Sequence, residues 1–86
     1  MEEIKQKSVE SYFLEFNVPE DKKEKILTII TNLVYKMNQK IIKLEKEQDE
    51  SKKIELVKTI EENDSLITNK IKEALEGKIG AINYDY

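Results

Sequence analysis

The chain is expected to be all-α: a short N-terminal helix packed on a long antiparallel helical hairpin, three-helix bundle-like, with a short non-helical C-terminal tail. Three observations predict this. Apolar residues recur three and four apart in two long runs, Ile26, Ile30, Leu33, Met37, Ile41 and Leu44, then Val57, Ile60, Ile67, Ile71 and Ala74. At about 100° per residue these two sets fall on roughly opposite sides of any single unbroken helix, so the chain has to turn between them. The polar, acidic Glu47-Gln48-Asp49-Glu50-Ser51 offers that turn, while 2 glycines and 1 proline in the whole chain are too few for a turn-rich β fold.

The first helix is expected over about residues 2–15, with Val9, Tyr12, Phe13 and Phe16 on one side. The segment Asn17-Val18-Pro19-Glu20-Asp21 reads as a stop followed by a start. Proline is favoured at a first helical position, acidic residues suit a first turn, and Asn17 is a candidate cap. The second helix is expected over about 19–47, about 40 Å long at about 1.5 Å per residue. The third runs over about 51–76, with Ser51 as N-cap and Gly77 as the left-handed residue beyond the end. All 86 residues are read as one small domain.

The hairpin register follows from the two apolar sets. Folding about residue 50 pairs Ile26 with Ala74, Ile30 with Ile71, Leu33 with Ile67, Ile41 with Ile60 and Leu44 with Val57. One layer breaks the pattern: Met37 faces Asp64. A carboxylate on an apolar seam costs free energy unless it is paired or hydrated. Asp64 is therefore read as a buried polar layer held by Asn38, Tyr35 or a lysine such as Lys36 or Lys40, in preference to a reactive site.

Leu27, Ile29 and Val34 widen the stripe in the first half of the second helix, and a wide stripe needs a second neighbour, for which the aromatic face of the first helix is available. Tyr35, Ile42 and Leu56 lie off the seam and are candidate partner or oligomer contacts. In the tail, 77–86, Ile82, Tyr84 and Tyr86 alternate as in a strand and join that candidate set.

Composition excludes several functions. There is no cysteine and no histidine, which removes disulfides, thiolate metal sites and the commonest general base. All 15 basic residues are lysine, and the net charge is −3. Without guanidinium forks, and with this sign of charge, nucleic-acid binding ranks last. Glu45, Glu47, Asp49 and Glu50 lack the ligand order of a calcium loop, so neither metal nor cofactor is expected. The lysines of the second helix alternate with carboxylates and read as a solvated face. No nucleophile–base pair or phosphate loop is visible, so no catalytic residue is assigned and the chain is not expected to be an enzyme. No apolar leader or membrane-length segment is present, and a soluble, cytoplasmic protein is expected.

The expected function is that of a small non-catalytic interaction protein. It would bind a macromolecular, protein partner, as a homo-oligomer, in the manner of phage or mobile-element accessory products such as inhibitors of host defence or immunity factors. The alternative is a helical oligomer that binds a small nucleotide-type signal. The segment Lys53-Ile54-Glu55-Leu56-Val57-Lys58-Thr59-Ile60-Glu61-Glu62 is similar to the third-helix region of phage proteins that sequester cyclic oligonucleotide signals. The similarity spans about a tenth of the chain and transfers no site residues.

Overall fold

The computed structural model describes residues 4–77. Its helices are α1 (Val9–Glu15), α2 (Glu20–Lys46) and α3 (Glu50–Leu75), with no strand among the described residues. The two long helices form the hairpin, and α1 lies against α2. Ile82, Tyr84 and Tyr86 fall outside the described residues.

The expected register holds at three levels. At the base, Lys22 Nζ donates to the carbonyl of Leu75 at 3.2 Å. Halfway along, the Tyr12 hydroxyl lies 2.5 Å from Asp64 Oδ1 and 3.6 Å from Met37 Sδ, so Met37 and Asp64 are level. Nearer the tip, Lys40 Nζ donates to Asn63 Oδ1 at 2.7 Å. Between these levels Ile26, Ile30, Val34, Met37 and Ile41 of α2 bury against Ile60, Ile67, Ile71 and Ala74 of α3. Each fully buried aliphatic side chain contributes about 1.5–3 kcal/mol of transfer free energy. The seam is rotated slightly from the expected one: Val34 is buried and Leu33 sits at the core edge. The reason is α1, which covers the Val34 side and draws that side of α2 inward.

The first helix is shorter than expected. It starts at Val9, not near Glu2, and residues 4–8 form a non-helical strap. Two interactions end the helix there. Ser8 Oγ accepts the Ser11 amide at 3.1 Å, an N-cap bond. One residue earlier, Asn38 takes both main-chain groups of Lys7: its Oδ1 accepts the amide at 2.9 Å and its Nδ2 donates to the carbonyl at 2.6 Å. A main chain claimed in this way cannot also close helical bonds.

Asn17 ends α1 and does not cap α2. It adopts φ +49°, which asparagine tolerates better than most residues. The Asn17 amide donates to Leu14 O at 3.3 Å and the Val18 amide to Phe13 O at 3.0 Å, the paired bonds of a Schellman ending. Buried Val18 and half-buried Phe13 supply its apolar contact. Pro19 stands at the N-cap with no side-chain cap, so α2 begins at Glu20, one residue later than expected. At the tip Asp49 caps α3 in place of Ser51: its Oδ1 accepts the Ser51 and Lys52 amides at 2.9 and 3.3 Å. Gly77 has φ +71° and donates to Ala74 O at 3.1 Å, as its place beyond α3 requires.

Candidate functional site

Three helical segments meet at Tyr12. The ring is wholly buried under α1, and its hydroxyl reaches across the Met37 layer to Asp64 on α3. At 2.5 Å the contact has the length of a charge-assisted O–H···O⁻ bond. Lys7 Nζ stands 4.7 Å from the Tyr12 ring centroid, 3.6 Å from Asp64 Oδ1 and 3.7 Å from Glu15 Oε1. Burial first, then the hydrogen bond and charge of Asp64 and the charge of Glu15, push the Tyr12 pKa far above its ordinary value. Such a phenol holds its proton, and no solvent or substrate reaches it. The Tyr12–Asp64 pair is a clasp that fastens α1 to the far helix.

Asp64 therefore differs from expectation in two ways. Its side chain is 43% exposed, so it is not a buried layer. Its partners are Tyr12 and Lys7, because the expected ones are engaged elsewhere or point away. Asn38 holds the strap, Lys40 bonds Asn63, and Tyr35 is 63% exposed. The gap in the apolar ladder is the slot through which a side chain from a third element enters.

Beside this clasp the strap roofs an open cleft of about 540 Å³. Its floor is Met37, Ile41 and Ile60, and Lys5, Glu61 and Asp64 stand at its rim. Lys7 lines it as well, so two lysines balance the two carboxylates and the mouth carries no net charge to select an ion of either sign. The tip carboxylates serve local ends: Asp49 caps α3, Glu47 Oε2 accepts the Asp49 amide at 3.2 Å, and Glu50 pairs with Lys53 at 3.5 Å.

The off-seam residues fall on two different faces. Tyr35 and Ile42 lie three before and four after Asn38, on the side of α2 that carries the strap. Ile42 is half-buried there. Leu56, also half-buried, lies with Lys43 and Glu55 in an open groove of about 550 Å³ on the opposite face. Thus the structure brings Tyr35 and Ile42 together and leaves Leu56 apart. Sequence reasoning missed three apolar residues that the fold leaves exposed, Leu66 on α3 at 41% and two more in open water. Ile54 on α3 is 67% exposed and Leu14 on α1 is 76% exposed. Ile54 lies seven residues before Glu61, a residue of the cleft, and so faces the strap side. The signal for it was present, since Ile54 belongs to neither apolar set.

Fold and surface together define a three-helix protein with an internal clasp and apolar side chains on its outside. Among the described residues no helix is long and apolar enough to cross a membrane. Compared with protein-family models, with curated proteins and with solved structures, the chain has no significant match.

Proposed function

We propose that this is a non-catalytic helical interaction module that binds a protein partner through its strap side. The observation that supports the reading is Tyr35 and Ile54, 63% and 67% exposed on that side of a chain otherwise rich in charge. An exposed tyrosine or large aliphatic side chain serves as an anchor when it fills a pocket on a partner. The strap lies on the same side. An accessory product of a phage or mobile element, such as an inhibitor of host defence or an immunity factor, is a role of this kind.

Affinity capture with the full chain tests the reading, using Tyr35→Glu and Ile54→Glu as the variants and far-UV circular dichroism to confirm that they fold. A protein partner held by the wild type and lost by both variants supports it. Recovery of the same partner by all three chains would sink it.

A second reading, a helical oligomer that sequesters a small nucleotide-type ligand, draws on one feature. Lys36, Lys40 and Lys43 share the edge of α2 away from the strap. A cyclic dinucleotide would raise the thermal midpoint by mass action if those lysines bind phosphate.

A further inference from the structure

We propose that the hairpin face opposite α1 is a self-docking surface, on which a second copy of the chain sits about a twofold axis parallel to α2 and α3. The hairpin has two broad faces, and among the described residues only one is covered. The strap and α1 hold one face through Lys7–Asn38 and Tyr12–Asp64. On the other, the Lys40–Asn63 bond spans the seam, and no helix among the described residues lies over it. Leu33, Leu44 and Leu56 are half-buried along this face, and Leu66 is 41% exposed.

Charge selects the occupant. Going by helical spacing, the α2 rim of the face carries Lys25, Lys36 and Lys43, and the α3 rim carries Glu55, Glu62 and Glu73, with Lys52 and Lys70 nearer its midline. Among the described residues none of the six on the rims is ion-paired within the chain. With Met37 level with Asp64, the hairpin register sets Lys25, Lys36 and Lys43 within one helical turn of Glu73, Glu62 and Glu55. It also sets Leu33 near the level of Leu66 and Leu44 near that of Leu56. The rims run along opposite edges of one chain. A twofold axis along the helices lays α2 of one copy on α3 of the other at the same height, so that each of these lysines comes within a turn, and so within side-chain reach, of its glutamate, and the leucines of the two copies meet near the same heights. The alternative axis, across the helices, stacks lysine rim on lysine rim and is repulsive. An isologous contact of this kind needs one self-complementary patch, which the face provides. Two helices about 40 Å long and about 20 Å across give about 800 Å² per copy, the size of a standard stable interface.

Light scattering on the full chain, from about 10 µM to about 1 mM and at low and high salt, tests the inference. The expected mass at the upper concentrations is twice 10.1 kDa, falling toward the monomer as salt screens the rims. Lys36→Glu and Glu62→Lys should each raise the dimer dissociation constant about 10-fold or more, and the double exchange should restore it, because both pairs are then reversed. Leu66→Lys should leave a folded monomer by circular dichroism; should it unfold, the charge exchange alone decides. A wild type that stays monomeric at about 1 mM overturns the inference. So does a dimer that survives Leu66→Lys or the single charge reversals, or one that Tyr35→Glu breaks instead. None of these outcomes touches the capture experiment on the strap side, which uses the other face.

Discussion

Asp64 and Tyr12 depend on one another, and that changes what a mutation does. Judged on the apolar seam alone, Asp64→Leu is neutral or stabilising. In the folded molecule it leaves the wholly buried Tyr12 hydroxyl with only the weak acceptor Met37 Sδ. Urea unfolding should therefore show Asp64→Leu destabilised by about 1–3 kcal/mol, the cost of an unmet buried donor. Asp64→Asn keeps an acceptor and should lose less. The Lys7 contacts add little, since all three groups are exposed to screening water.

Alkali should act at the same residue. Tyrosine in the unfolded chain ionises near pH 10, whereas folded Tyr12 keeps its proton well above that. The folded state then binds more protons, so the stability tied to Tyr12 is fully present below about pH 10 and is lost as pH rises beyond it. Tyr12→Phe should show a shallower fall in stability over that range than the wild type. Equal slopes would mean that Tyr12 is not what the alkali attacks.

At the scale of the element, ends were harder to foresee than middles. The long helices were legible because each repeats its apolar period over several turns, and errors at one position cannot hide the period. Their boundaries rest on one or two hydrogen bonds. Asp49 and Ser51 are both good caps by type; Asp49 prevails because its carboxylate takes two amides at once. Asp49→Ala should lower the thermal stability by about 1 kcal/mol, and Ser51→Ala should be near neutral. The strap was illegible for another reason. Helix-forming lysine and glutamine fill positions 5–7, and local preference favours continuing α1. The contact that wins comes from Asn38, 31 residues away. A tertiary contact that overrides a weak local preference leaves no local trace.

The whole molecule is a two-layer assembly, and its layers are joined unequally. The hairpin seam carries most of the buried core, whereas α1 is joined to it by Tyr12, its flanking aromatics and the grip of Asn38. The outer layer should therefore open before the hairpin does. Asn38→Ala should speed hydrogen exchange at the Lys7 amide while protection at Ile30 and Ile67 holds; a uniform loss would show that strap and hairpin unfold as one unit. Asp64 opposite Met37 was legible as a place where the ladder needed explaining. Its true partner was not, because which side of the hairpin α1 takes is decided by packing over the Val34 edge and not by any spacing within 1–16. The same holds for the candidate contacts: Tyr35, Ile42 and Leu56 were picked out together by lying off the seam, yet the hairpin separates them onto two faces.

Asn38 grasps its neighbour by the main chain, and that sets how freely the N-terminal sequence can drift. An amide and a carbonyl are the same in every residue except proline, so this handhold does not read the side chains beside it. Lys5 and Gln6 turn outward to solvent. The protein can vary what it displays at those two positions while the strap stays moored to α2.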